Sequence, residues 1–360
     1  MTAKERIVLA YSGGLDTSVA VPWLAERYRA EVVTVTLDVG QGRDLEKIRE
    51  RALAIGAVRA HVLDVREELA CRYILPALQA GALYAGRYPM TTSLARPLIA
   101  SKLVEIARLE RATAVAHGAR GRGRDRLPLD RSLRALDAAL AIRAPARASG
   151  MTPAEEQQYA RARGIPVPSG AGPYSFDANL WGRSVEYGAL EDPWREPPPD
   201  VYALTKAAAA APDAAAYVEI SFDQGVPRAV NGVPMSLTEL IESLTTIAGV
   251  HGVGRIDTIE KRQDGVTSRE ITEAPAAVVL HAAHRELETL VLAHDLERLK
   301  RELSITYADL VYNGLWFTPM REALDAFTRT VQPQVTGTIR VKLFKGSGEV
   351  VGRTTTLPPS

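Results

Sequence analysis

Apolar and polar positions fall into two rhythms along the chain. In the first half, short apolar runs alternate with amphipathic stretches. Ile7-Val8-Leu9-Ala10 is a continuous apolar run, residues 19–29 place Val21, Leu24 and Ala25 on one side, and Glu31–Asp38 is rich in β-branched residues. This pattern predicts strand, helix and strand, with Pro22 inside the first helix as a candidate kink. The same alternation continues with helices at 44–55, 67–84, 93–109 and 152–163, and strands at 60–65, 112–118 and 140–145. Strands that alternate with helices imply a parallel sheet with right-handed crossovers, whose ligand crevice lies at the carboxyl ends of the strands.

The second half changes character. Strands at 217–222 and 226–230 flank Gln224-Gly225 as a hairpin, and Leu240, Ile241, Leu244 and Ile247 share one face of a helix over 237–248. Two strands around Asp264-Gly265, a long helix over 275–303, another at 319–330 and strands at 337–344 and 349–354 complete an α+β pattern. The Pro/Gly/Ser cluster from Ile165 to Pro173 marks the boundary, so the expected domains are 1–165 and 174–360.

A chain of 360 residues has room for two cores. Its net charge of +1 disfavours a dedicated nucleic-acid binder. The single cysteine, Cys71, excludes an intrachain disulfide framework and fits a reducing compartment. The start leads straight into a strand with no apolar signal region, and no run of about 18 apolar residues occurs. The expected localisation is cytoplasmic, with no membrane partner.

The chemistry concentrates where the first strand ends. Ala10-Tyr11-Ser12-Gly13-Gly14-Leu15-Asp16-Thr17-Ser18 turns from strand to helix through two glycines, a geometry that presents backbone N–H groups to an anion. Phosphate is the expected guest, Ser12, Thr17 and Ser18 offer hydroxyls, and Asp16 either caps the helix or holds a cation. The absence of Gly-Lys-Ser/Thr separates the loop from a Walker A motif.

This loop resembles the pyrophosphate-binding loop of the ATP pyrophosphatases, and in its full form that of the argininosuccinate synthase family. Collinear matches extend over nearly the whole chain. They include Asp38-Val39-Gly40-Gln41, Gly86-Arg87-Tyr88-Pro89, Leu94-Ala95-Arg96-Pro97-Leu98, Ala116-His117-Gly118, Asn179-Leu180-Trp181-Gly182-Arg183-Ser184, Gly252-Val253-Gly254-Arg255 and Val311-Tyr312-Asn313-Gly314. The resemblance implies an α/β chain: a parallel-sheet nucleotide-binding domain of the adenine nucleotide alpha-hydrolase type, followed by an α+β synthetase domain. It also implies ATP and Mg2+ as cofactors, with Ala10 to Ser18, Leu37 and Gly118 contacting ATP. Asp16 and Asp125 are the catalytic candidates. Tyr88, Thr92, Arg96, Arg120, Arg124, Asp125, Ser175, Ser184, Glu260 and Thr272 are the substrate-binding candidates, for small amino-acid-like substrates.

The chain also departs from the family pattern. Arg120 and Arg124 replace a threonine and an asparagine, Pro128 replaces a citrulline-binding arginine, and Thr272 stands for a tyrosine. Glu270 and Thr91 stand for glycines and Ala146 for a tryptophan. Proline supplies no guanidinium, so a bidentate carboxylate clamp is missing there. The arginines at 120, 122, 124 and 126 either read a more anionic substrate, replace donors for a shifted carboxylate, or reflect the chain's abundance of arginine; an RNA-contacting loop is disfavoured by the absence of base-stacking aromatics from it. The leading expectation is therefore an AMP-forming C–N ligase with altered citrulline and aspartate specificity. The alternative is a true argininosuccinate synthase, and a third reading is a catalytically silent ATP-binding protein. The expected assembly is a homo-oligomer, a dimer rather than the family tetramer, because the chain ends at Ser360 without the family's C-terminal arm.

Overall fold

The computed structural model describes residues 5–119, 126–166, 174–261 and 267–355, without the side chains of Arg126, Leu127, Glu260, Lys261 and Thr267. The chain divides into two compact units. The first comprises Met1–Val65, Arg96–Gly172 and Asn313–Phe317; the second comprises Arg66–Ala95, Pro173–Tyr312 and Thr318–Ser360. These units cross the linear division at 165/174 twice, because 66–95 packs with the second and 313–317 with the first.

The chain opens with β1 (Arg6–Ala10), α1 (Leu15–Tyr28), β2 (Glu31–Asp38), α2 (Leu45–Ala54) and β3 (Arg59–Asp64). Helix α1 begins at Leu15, four residues before the expected start, so Asp16, Thr17 and Ser18 belong to its first turn. Pro22 sits inside α1 without ending it. The stretch 67–84, expected as one helix, instead forms α3 (Arg66–Leu69), a π-helical turn at Ala70–Ile74 and α4 (Leu75–Gln79). It ends where Gly81 takes φ +68°, and Tyr84 pairs with Tyr88 in an isolated bridge. The chain continues as α5 (Thr91–Leu109), β4 (Ala114–Ala116), α6 (Arg126–Leu136), β5 (Ala141–Arg143), α7 (Pro145–Ala148) and α8 (Pro153–Ala162). Thr152 and Glu155 close a reciprocal capping box on α8.

In the first unit all five strands are parallel, in the order β3-β2-β1-β4-β5. Ile7 and Leu9 pack on one face of the sheet with Val21 and Leu24 of α1. Val8, Val33 and Val35 pack on the other with Leu103 and Ala107 of α5. Burial on both faces explains why β1 reads as a continuous apolar run and β2 as a β-branched stretch. Strand order reverses between β1 and β4, the topological switch point at which open α/β sheets bind ligands. At the amino ends of the strands, buried Glu110 accepts hydrogen bonds from Arg6 and Arg59 and pairs with His61.

The second unit adds β6 (Ser175–Asn179), β7 (Gly182–Glu186), β8 (Ala216–Asp223), β9 (Val226–Val230), β10 (Val233–Pro234) and α9 (Leu237–Val250). It continues with β11 (Arg255–Lys261), β12 (Thr267–Glu273), α10 (Pro275–Val291), α11 (His294–Tyr312), α12 (Pro319–Val331), β13 (Gly337–Phe344) and β14 (Ser347–Thr354). Two antiparallel sheets result, β10-β9-β8-β13-β14 and β11-β12-β7-β6. The expected helix over 275–303 is two helices, separated where Leu292 turns extended (φ −92°, ψ 146°) and α11 starts afresh. The hairpin β6–β7 has no counterpart in the sequence reading: its outward residues Ser175, Phe176 and Asp177 leave only a weak apolar alternation. Gly182 makes this hairpin possible, since a Cβ there would lie 2.5 Å from the Glu273 carbonyl oxygen.

Candidate active site

In the first unit, the segment after β1 is held in shape by its own hydroxyls. Ser12 Oγ and Thr17 Oγ1 lie 3.2 Å apart, the Gly14 N–H donates to Ser12 Oγ at 3.3 Å, and Thr17 Oγ1 donates to the Gly14 carbonyl at 3.4 Å. Tyr11 and Ser18 share a buried hydrogen bond of 3.0 Å, while Thr36 Oγ1 donates to the Tyr11 carbonyl at 3.0 Å. Burial raises the Tyr11 phenol above its ordinary pKa, partly offset by the bond to Ser18. The N-cap of α1 is Gly14, which has no side chain with which to cap the helix. The helix N-terminus therefore offers its dipole and first-turn N–H groups to an anion.

Two glycines make this approach possible for different reasons. Gly13 takes φ +73°, and a Cβ there would press on Ile48 at 3.1 Å. Gly118, just past the end of β4, lies so close that its Cβ would be 2.9 Å from Thr17 Cγ2. The structure thus brings Ala10 to Ser18 and Gly118 together at the carboxyl ends of β1 and β4. Leu37 is near the end of β2, where its carbonyl accepts from Gln41 Nε2 at 2.7 Å.

Two arginines, not singled out in the sequence, complete this loop. Arg51 donates to the Gly13 carbonyl at 2.8 Å and Arg43 to the Ser12 carbonyl at 3.1 Å. Both guanidinium groups add positive charge beside the turn. Their signal was weak, because each sits on or before α2 at a spacing that only the folded loop makes meaningful. His117, the middle residue of the Ala116-His117-Gly118 match, is buried and held through both ring nitrogens. Its Nδ1 accepts the Ala119 N–H at 3.3 Å, which leaves Nε2–H to donate to Asp130 Oδ1 at 2.8 Å. Asp16 occupies the first turn of α1. Among the described residues no group of three His, Cys, Asp or Glu side chains could hold a metal.

In the second unit, three of the substrate candidates, Tyr88, Ser184 and Thr272, gather around β7 and β12 with Thr91 and Glu270. Ser184 on β7 lies directly opposite Thr272 on β12, and their hydroxyls are 3.1 Å apart. Ser184 also meets Thr91 at 3.1 Å, and Thr91 meets the Tyr88 phenol at 3.4 Å. Thr272 donates to Glu270 Oε1 at 3.1 Å. All five residues are at most 5% exposed. The start of α5 is pinned nearby: Asn179 Nδ2 donates to the Thr91 carbonyl at 2.8 Å and the Trp181 indole donates to the Pro89 carbonyl at 3.0 Å.

Other candidates stand apart from this group. Ser175 is exposed at the start of β6. Glu260 on β11 pairs in register with Ser268, four residues along β12 from Thr272, roughly 13 Å away along the strand. Its side chain lies outside the described residues, as do Arg120, Arg124 and Asp125. Thr92 is half-buried in the first turn of α5. Arg96, farther along α5, is buried and counts with the first unit. Pro128 is buried in α6, and the approach of Gly314 is so close that a Cβ there would lie 2.2 Å from Pro128 Cα.

Comparison with known proteins follows these two halves. Residues 6–166 match the family model described as arginosuccinate synthase N-terminal HUP domain, and residues 174–358 match the arginosuccinate synthase C-terminal domain. An argininosuccinate synthase of Dehalococcoides mccartyi is 53% identical over 350 residues, covering 97% of this chain and 86% of that protein. That of Symbiobacterium thermophilum is 53% identical over 354 residues, covering 98% and 88%. That of Acaryochloris marina is 52% identical over 355 residues, covering 98% and 89%.

Proposed function

The chain belongs to the argininosuccinate synthase family of ATP-dependent C–N ligases, and on that premise we propose that it joins citrulline to aspartate, forming argininosuccinate, AMP and pyrophosphate. The observation that carries this reading is identity of 52–53% sustained over 97–98% of the chain. The expectation of a redirected ligase is the less well supported of the two.

In the proposed reaction the ureido oxygen of citrulline attacks the α-phosphorus of ATP. A new P–O bond forms, the bond to the β-phosphate oxygen breaks, and pyrophosphate leaves. The amine of aspartate then attacks the ureido carbon, the C–O bond to AMP breaks, and the nitrogen loses a proton. Charge develops on the departing pyrophosphate, so the first-turn N–H groups of α1 and the guanidinium groups of Arg43 and Arg51 would act there. Thr17 and Ser12 hold that loop in its binding shape, and Gly118 leaves room for the ligand. Asp16 would hold magnesium, which when bound neutralises phosphate charge.

The amino-acid substrate is assigned to Tyr88, Thr92, Ser175, Ser184, Glu260 and Thr272, with Arg96, Arg120, Arg124 and Asp125 as further candidates. A second reading, with a different ureido or carboxylate acceptor, is favoured by Pro128, which brings a buried ring and no guanidinium, and by Thr272, which brings a short hydroxyl. The two readings separate with citrulline carrying 18O in its ureido group. Transfer of the label to AMP, together with argininosuccinate identified by mass, is the expected outcome. Unlabelled AMP, or no AMP, counts against the proposed reaction.

A further inference from the structure

The hydroxyls in the second unit form a chain whose direction is fixed at one end. A hydroxyl has one proton to give, and an ionised carboxylate has none. Thr272 gives its proton to Glu270. The 3.1 Å contact between Thr272 and Ser184 must then be donated by Ser184. Ser184 has no second proton, so its 3.1 Å contact with Thr91 must be donated by Thr91. The same constraint makes Tyr88 the donor to Thr91 at 3.4 Å. Burial raises the cost of breaking this order, since a reversed member leaves two protons or two lone pairs facing each other away from water.

We propose that Glu270 is a positioning residue that polarises this relay, so that Tyr88, Thr91 and Ser184 meet a ligand with acceptor oxygens only. Neither Glu270 nor Thr91 was among the expected substrate residues. An acceptor-only surface favours N–H-bearing groups, an ammonium or a ureido amide, and repels a carboxylate. The relay therefore discriminates which end of an amino-acid substrate faces it. Glu270 is itself anchored through its main chain, where its carbonyl accepts from Thr258 Oγ1 at 3.3 Å. The functional consequence rests on the assignment of Tyr88 and Ser184 to the amino-acid substrate; the proton order does not.

Neutron diffraction from deuterium-exchanged crystals of the full chain reads the order directly. The four hydroxyl deuterons should point along the sequence Tyr88, Thr91, Ser184, Thr272, Glu270; a reversed deuteron overturns the proposal. Kinetics then read the consequence. Glu270→Gln introduces an amide that can donate to Thr272, and Thr272→Val removes the connecting hydroxyl. Each should raise KM for citrulline on the order of tenfold, with kcat changed far less, and Thr272→Ser should restore most of the loss. If KM is unmoved in both variants, or Thr272→Ser fails as badly as Thr272→Val, the positioning role is refuted. A wild-type enzyme inert to citrulline, with the deuterons in the stated order, refutes the proposed function and leaves the relay standing.

Discussion

The proposed phosphate loop of the first unit and the proposed hydroxyl relay of the second would recognise polar groups by different means. On that proposal the loop would work mainly through main-chain N–H groups, which every residue but proline carries, and would ask of the sequence only that nothing obstruct them. Gly13 supplies a positive φ, Gly14 an uncapped helix end and Gly118 a close approach. The relay works through side chains, each with one proton to give, so replacing one member alters what its neighbours can do. A main-chain site tolerates drift around it, whereas a side-chain site rewires. Thr91, Glu270 and Thr272, expected from the resemblance to depart from the family pattern, all belong to the relay.

The largest predicted effect breaks the main-chain site by obstruction. Gly118→Val puts a branched side chain where even a Cβ would be 2.9 Å from Thr17, and kcat/KM for ATP should fall by at least about a hundredfold. A loss below tenfold would mean that the close approach is not needed. Arg51→Met keeps the stem but removes the guanidinium bonded to the Gly13 carbonyl. Steady-state kinetics should show KM for ATP raised roughly tenfold, as expected for losing a charge-assisted hydrogen bond. The same variant should leave KM for citrulline unaltered, which distinguishes loop support from general destabilisation.

The smallest effect lies outside both sites and tests packing in the second unit alone. Burial drives the His281 imidazole down to about 3, with repulsion from His284, Lys300 and Arg285 in the same direction. The unfolded chain takes up a proton near 6.5 that the folded chain refuses until about 3, so stability falls as pH drops through that window. The slope should be up to about 1.4 kcal/mol per pH unit from this group. His281→Phe should flatten denaturant-measured stability between pH 7 and 5, and His284, whose pKa burial also lowers, should supply part of the remaining slope. An unchanged slope would exclude His281 as a source.

What the sequence made legible follows the same division. The loop was readable because its glycines and hydroxyls are contiguous and flanked by an apolar strand, and the parallel sheet followed from the alternation around Ile7 to Leu9 and Glu31 to Asp38. Arg43 and Arg51 were invisible because their partners are carbonyls of Ser12 and Gly13, far away in the sequence. The break at Leu292 escaped notice since apolar spacing continues across it, and only the backbone turns extended. Glu270 read as an isolated departure; its meaning came from β12 placing it two residues from Thr272, with that side chain facing Ser184 of β7.

A chain that keeps the family's nucleotide loop and still uses citrulline despite the replaced side chains should release pyrophosphate only when citrulline is present. Pyrophosphate release from ATP and magnesium tests it most directly, with citrulline alone, aspartate alone and both together. The expected result is release that requires citrulline, and a product of argininosuccinate mass once aspartate is added. Bound ATP with no citrulline-dependent release would contradict it and turn attention to another acceptor.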